Sequence, residues 1–195
     1  MVVGYHLIWT AYGWWLPNDP RGSSSHEIRG AEIAGLGELH TGRRNVQPAA
    51  GDIREFYEAA SRVLKHELRK FAPDEIALLG KEFSDVIRQR TYTCYACAIM
   101  PDRVHMLIRK HREKAETMIA SLQDASRKAI INAGHRPGDH PVWGGPGWKV
   151  YLETRDDISR VIEYIESNPT KVGRVRQRWE FVAPYEGWLP GLAPR

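Results

Sequence analysis

Two strand-forming segments in the middle of the chain are separated by only four residues, and this spacing limits the folds open to the sequence. One segment spans 92–99 and the other spans 104–109, with Met-Pro-Asp-Arg at 100–103 between them. So short a connection predicts an antiparallel hairpin. Apolar residues at helical spacing on both sides of the hairpin exclude an all-β domain, so we expect a sheet that helices cover.

Strands and helices alternate along the rest of the chain. Further strands are predicted at 4–12 and 148–152, and apolar periodicity predicts helices from Asp52, from Pro73, over 113–132 and from Thr154. Pro73 suits the first turn of a helix, and Pro169 is expected to end the last one. The predicted fold class is α+β, with an antiparallel sheet and helices packed on one of its faces.

The length of 195 residues is that of a single domain. Within it, residues 14–51 are rich in Gly, Pro, Ser and polar residues, which predicts a long N-terminal loop insertion. Its role is open between a loop that clamps nucleic acid and a covering flap. Residues 179–195 are expected to form a C-terminal tail.

The apolar runs are far shorter than the roughly 20 residues of a membrane-spanning helix. The first residues also lack a basic region and a cleavage site of the secretory kind. We therefore expect a cytoplasmic protein without a membrane partner. Cys94 and Cys97 lie in a strand-forming segment, where an odd spacing directs them to opposite faces, so they are interpreted as buried structural thiols rather than a zinc or redox pair.

Positive charge is concentrated in the second half of the chain. The whole sequence has 28 Lys and Arg against 24 Asp and Glu, and from residue 103 onward the numbers are 16 and 11. An excess of this kind points weakly to a polyanionic partner such as nucleic acid.

The period of two in a strand places Arg103, His105 and Arg109 on one face of the hairpin. The same alternation in the first strand allows His6 to join that face. Tyr164 and Asn168 lie one helical turn apart on the flank of the last helix, where both can reach a site beside the core. The competing interpretations are an ordinary strand histidine and a packing tyrosine.

Two segments resemble a known family. Ile-Met-Pro-Asp-Arg-Val-His-Met-Leu-Ile at 99–108 resembles the HUH strand of the single-tyrosine transposases, and Tyr-Ile-Glu-Ser-Asn-Pro at 164–169 resembles their tyrosine helix. The Asn-Pro after the tyrosine is typical of the REP-associated tyrosine transposases. The segments 5–9, 12–17 and 141–148 also resemble one subgroup, so the similarity touches most of the chain.

This resemblance implies a ferredoxin-like fold and metal-dependent cleavage of single-stranded DNA, often beside a hairpin. Tyr164 would be the nucleophile that forms a 5′-phosphotyrosine. His105 would be one ligand of a divalent metal, Mg²⁺ or Mn²⁺, and Asn168 would be its amide ligand. A metal suits this chemistry because a phenol is a poor nucleophile at neutral pH and charge develops on the phosphate.

Arg103 departs from the family pattern, because it stands where the family has its first HUH histidine. A guanidinium offers no lone pair to a metal. Three interpretations follow: Arg103 binds the scissile phosphate itself, His6 or Asp102 supplies the missing ligand, or the site is disabled.

The alternative function is a non-cleaving protein that binds single-stranded or hairpin DNA. In either case Trp14 and Trp15 are expected to stack on unpaired bases. The side chains expected to contact phosphate are Arg103, Arg109, Lys171, Arg174 and Arg176. A monomer or a homodimer, associated with the nucleoid, fits this interpretation.

Overall fold

The computed structural model describes residues 1–23, 25–42, 44–135 and 139–191. In these ranges the elements are β1 (Gly4–Thr10), α1 (Ala31–Ala34), α2 (Ala50–Val63), α3 (Pro73–Arg90), β2 (Cys94–Ile99), β3 (Arg103–Arg109), α4 (Ala115–Asn132), β4 (Trp148–Leu152) and α5 (Arg155–Lys171). None of these helices has both the length and the apolar character needed to cross a bilayer.

The four strands form one sheet in the order β2-β3-β1-β4, and each neighbouring pair is antiparallel. Three helices lie in the chain between β1 and β2, of which α3 packs on the sheet, and α4 lies between β3 and β4. This is the ferredoxin-like arrangement. The predicted α+β class and the predicted antiparallel hairpin are confirmed.

The first face of the sheet is the side that packs against α3 and α4. Alternate residues of β1 and β3, including Trp9 and Met106, are buried there with residues of both helices, including Phe83 and Met118. Burial of each side chain of this size contributes roughly 1.5–3 kcal/mol to the stability of the folded state. The prediction of helices on one face holds for these two helices.

The second face of the sheet is covered by α5, whereas helices were predicted on one face only. Leu107 and Ala96 point to this side and are buried against Ile158 and Ile165 of α5. The sheet needs this cover because Leu107 and the small residues of β2 form an apolar strip that would otherwise face water. Helices therefore pack on both faces, and His105 lies against Tyr164 of α5.

Pro169 lies inside α5 and does not end it, which corrects the predicted boundary. The fixed φ of proline is helical, so the chain can continue although one backbone hydrogen bond is lost. The start of α5 is as predicted, since Thr154 accepts a hydrogen bond from the backbone N–H of Asp157 at 3.1 Å. By contrast α2 begins before Asp52, whose carboxylate accepts from the N–H of Ala49 at 3.2 Å.

The described part of the 14–51 segment is held to α2 by a buried carboxylate. Asp19 is fully buried and accepts hydrogen bonds from the guanidinium of Arg21 and from the hydroxyl of Tyr57. Burial raises the pKa of Tyr57, so its hydroxyl stays a donor to this carboxylate. The segment is thus fixed by an ion pair and a phenol, although it contains little regular structure besides α1.

Residues after α5 run back along the outer edge of β2. The side-chain amide of Gln177 accepts from the N–H of Ile99 at 2.8 Å and donates to its carbonyl at 2.7 Å. Farther on, the N–H of Ala183 donates to the carbonyl of Cys94 at 2.8 Å. The predicted tail therefore starts as a packed segment, and it supplies a hydrogen bond to the edge strand β2.

Both cysteines are free and buried in the same core, whereas opposite faces were expected. A register shift between Cys94 and Ala96 adds one residue to β2 and breaks the alternation there. Burial raises the pKa of Cys94 to about 12 and that of Cys97 well above its ordinary value. They are structural thiols, as the sequence indicated.

The contact between Gly80 of α3 and Trp179 of the tail gives a test of this packing. A Cβ atom at Gly80 would lie 2.2 Å from the Trp179 ring. We expect Gly80→Ala to lower the free energy of unfolding by about 1–3 kcal/mol, because the ring must shift. Gly51→Ala in α2 is the matched control, since a Cβ there meets nothing within 4 Å. Urea denaturation checks both, and equal midpoints for wild type and Gly80→Ala would contradict the packing.

Candidate active site

Three of the predicted site residues meet on the second face of the sheet. The ring of Tyr164 lies edge-on to the rings of His6 and His105, with centroids 5.9 and 5.5 Å away. Both histidines are buried, while Tyr164 keeps 40% of its surface exposed. The phenol is thus the part of this cluster that solvent and a large substrate can reach.

The register of the sheet puts the two histidines together. In the β1–β3 pair, His6 is opposite Leu107 and Ile8 is opposite His105. The histidines are therefore diagonal neighbours on one face, a separation that long side chains can bridge. Their rings approach until Nε2 of His6 is 3.1 Å from Nδ1 of His105. The prediction that His6 joins the face of His105 is confirmed.

Arg103 extends this pair into a chain of hydrogen bonds. Its Nε–H donates to Nε2 of His105 at 3.3 Å. Because a guanidinium is only a donor, Nε2 of His105 must carry its lone pair, and the neutral ring then carries its proton on Nδ1. That proton is donated to Nε2 of His6. Donor and acceptor logic therefore assigns one tautomer to each ring.

Both rings are neutral at physiological pH. Burial lowers the pKa of His6 to about 4. Burial also lowers the pKa of His105 well below its ordinary value, and the adjacent His6 and Arg103 lower it further. A neutral His105 is what the hydrogen bond from Arg103 requires, so burial and hydrogen bonding favour the same state.

Asp102 holds the other side of the guanidinium. Nη1 of Arg103 lies 2.9 Å from each carboxylate oxygen of Asp102, and both side chains are largely buried. Asp102 was one possible source of a metal ligand, but here its carboxylate is paired with Arg103. Among the described residues, nothing accepts a hydrogen bond from Nη2 of Arg103, so this end of the guanidinium stays free.

The residues present do not fit the predicted divalent metal. The lone pair of His105 at Nε2 accepts from Arg103, and that of His6 at Nε2 accepts from His105. The fixed charge of Arg103 would also repel a cation at this position. Within the part of the chain that the structure describes, no group of three or more His, Cys, Asp or Glu side chains is placed to hold a metal ion.

Asn168 and Lys171 lie on the same helix as Tyr164. Asn168 is buried, and its amide nitrogen donates to the carbonyl of Tyr164 at 2.8 Å. The ammonium of Lys171 lies 4.9 Å from the centroid of the Tyr164 ring. Lys171 therefore adds positive charge beside the phenol, whereas the observed bond of Asn168 supports the helix.

The remaining predicted nucleic-acid contacts lie outside this cluster. Arg176 pairs with Glu166 on the surface, and Arg174 is exposed after the end of α5. Arg109 is at the opposite end of β3 from Arg103, roughly 20 Å away at the rise of a strand, where it lies over the ring of Trp188.

Trp14 and Trp15 contact other residues of the fold. The indole N–H of Trp14 donates to the carbonyl of Arg69 at 2.6 Å, and its ring packs on Tyr57. The guanidinium of Arg21 lies 3.8 Å above the ring of Trp15. These tryptophans connect the insertion to α2 and are not part of the Tyr164 cluster.

Two features of the site were missed by sequence reasoning. One is the pairing of Asp102 with Arg103, for which the adjacent opposite charges in the sequence were the available signal. The other is the contact between Lys171 and Tyr164, which a spacing of seven residues on one helix indicates.

No protein-family model and no curated protein matches the chain. Among solved structures, it is similar to that of a REP-associated tyrosine transposase bound to a REP hairpin, with 19% identity and a TM-score of 0.45 over 57% of this chain and 65% of that one. The chain thus spans less than two thirds of that transposase. It is also similar to a putative transposase from Deinococcus radiodurans R1, with 14% identity and a TM-score of 0.40 over 86% and 91% of the two chains.

The hydrogen-bond chain predicts the tautomer of His105. In ¹⁵N NMR spectra near pH 7, we expect Nδ1 of His105 to carry the proton and Nε2 to be unprotonated, because Nε2 accepts from Arg103. In Arg103→Leu this donor is missing, so the two tautomers should mix. A proton on Nε2 of His105 in the wild type would contradict the assigned chain.

Proposed function

We propose that this protein cuts and rejoins single-stranded DNA through Tyr164, with a 5′-phosphotyrosine intermediate. The observation that carries the proposal is the contact of the exposed Tyr164 phenol with the buried rings of His6 and His105, which are hydrogen-bonded to each other and to Arg103. A tyrosine that only packed against the sheet would not need polar partners of this kind beneath it. The arrangement suits a nucleophile beside an anion-binding group.

The charges around the phenol favour a phosphate as the electrophile. The ammonium of Lys171 lies beside the Tyr164 ring. The guanidinium of Arg103 donates a hydrogen bond to His105, whose ring contacts Tyr164. Both cations would stabilise the negative charge that develops on a phosphate and on the attacking oxygen. Neutral histidines add no negative charge that would oppose the substrate.

The proposed step is a transesterification. The phenol oxygen of Tyr164 attacks the phosphorus of a phosphodiester, so that an O–P bond forms while the bond from phosphorus to the 3′ oxygen breaks. The phenol proton passes to water, and the departing 3′ oxygen takes a proton from water. One phosphoester replaces another, and the reverse reaction with a new 3′-hydroxyl joins strands without ATP.

The choice of single-stranded DNA, with a hairpin nearby, rests on the sequence. The segments 99–108 and 164–169 resemble the HUH strand and the tyrosine helix of the REP-associated transposases, and this structure brings those segments together. The basic excess after residue 103 supports a polyanionic substrate. The solved REP-associated transposase is described as bound to a REP hairpin, which makes a hairpin the first substrate to try.

A second function, binding of the same DNA without cleavage, is favoured by one observation. Arg103 occupies the lone pair of His105 that a metal would need. If one positive charge activates the phosphate too weakly, the cluster holds DNA but leaves it intact.

The test is formation of a covalent adduct. Wild type and Tyr164→Phe are incubated with labelled single-stranded hairpin oligonucleotides from the DNA that flanks the gene, and the products are separated on a denaturing gel. We expect an adduct only with the wild type, because the phenol oxygen is its point of attachment. Binding measured by fluorescence anisotropy should change less than about twofold, since only a hydroxyl is removed.

Tyr151→Phe is the matched control, because Tyr151 is another exposed tyrosine, on β4. It should form as much adduct as the wild type. Equal adduct from Tyr164→Phe would exclude Tyr164 as the nucleophile. Tight binding without adduct from any of these proteins would support the non-cleaving alternative.

A further inference from the structure

We propose that Arg103 takes the place of a metal ion: its guanidinium binds the phosphate directly, and its bond to His105 keeps divalent cations out of the site. The binding of phosphate by Arg103 rests on the proposed function, because that function supplies the substrate. The exclusion of metal by Arg103 can be tested without catalysis.

The guanidinium is held on two sides and free on the third. Nη1 lies 2.9 Å from both oxygens of Asp102, and Nε donates to His105 at 3.3 Å. Nη2 has no acceptor among the described residues, while the side chain keeps 19% of its surface exposed. A planar cation fixed in this way can give its remaining N–H groups to a phosphate oxygen.

The exclusion of metal follows from the lone pairs. An imidazole binds a metal through an unprotonated ring nitrogen. In this structure the unprotonated nitrogen of His105 faces Arg103, and that of His6 faces His105. A metal ion would have to break both hydrogen bonds and displace a permanent cation that is paired with Asp102. The two histidines are thus positioning residues for Arg103.

The first experiment measures metal binding in the absence of DNA. Mn²⁺ is titrated into wild type and Arg103→His, and free Mn²⁺ is followed by its electron paramagnetic resonance signal. Arg103→His removes the cation and supplies an imidazole, so we expect it to bind Mn²⁺ at least tenfold more tightly than the wild type. Arg109→His, the same substitution at the other end of β3, is the control and should bind like the wild type.

The second experiment measures adduct yield and oligonucleotide binding with and without a divalent metal. The wild type should form the adduct in EDTA within about twofold of its yield in Mn²⁺, because its cation is covalently part of the chain. In EDTA, Arg103→Leu should bind the oligonucleotide roughly tenfold more weakly, the usual scale for a charged hydrogen bond to phosphate. Arg103→Gln, which keeps a polar side chain without the charge, replaces it if the leucine variant does not fold.

The outcomes separate this inference from the proposed function. An adduct that requires Mn²⁺, or wild-type Mn²⁺ binding equal to that of Arg103→His, would overturn the role of Arg103 while leaving Tyr164 as the nucleophile. Absence of any adduct, with metal excluded and DNA binding lost in both Arg103 variants, would overturn cleavage but support Arg103 as the phosphate ligand. Unchanged binding in both variants would overturn that ligand assignment.

Discussion

The packing of α5 on the second face of the sheet is the interaction on which the site depends. Burial of Ile158 and Ile165 against Leu107 fixes the rotation of the helix about its axis. Tyr164 precedes Ile165 by one residue, or about 100° of rotation, and so lies at the rim of that apolar contact, where it is half exposed and touches the histidines. An apolar contact thus sets the geometry of a polar site.

A neutral pair of histidines is stable under a tyrosine because three of their ring nitrogens, both of His105 and Nε2 of His6, are hydrogen-bonded. Burial alone would make unpaired ring nitrogens costly. The chain of donors from Arg103 through His105 to His6 satisfies them in one direction, and Asp102 balances the charge at its start. Arg103 is therefore held inside the fold by hydrogen bonds to His105 and Asp102.

Much of the fold could be predicted because it depends on local patterns. The hairpin, the strand at 148–152, the Thr154 cap and the alternation that separates Met106 from His105 are all signalled by residues close in sequence. The cover of α5 over the second face could not be predicted in this way, since it depends on the small residues of β2 and on Leu107 acting together. The shift at Cys94 and the fit of Trp179 over Gly80 are likewise tertiary. In the candidate site, the strand alternation allowed His6 on the face of His105, as observed, whereas the hydrogen bond from Arg103 to His105 depends on the tertiary structure.

The two hydrogen bonds between Gln177 and Ile99 have a consequence for how the site is built. They fasten the segment after α5 to the edge of the same sheet, and β4 fastens the segment before it. The helix that carries Tyr164 is thus anchored at both ends to the sheet that carries the histidines. An exchange of α5 between two copies would therefore have to break the bonds to Ile99 or carry the segment after the helix along with it.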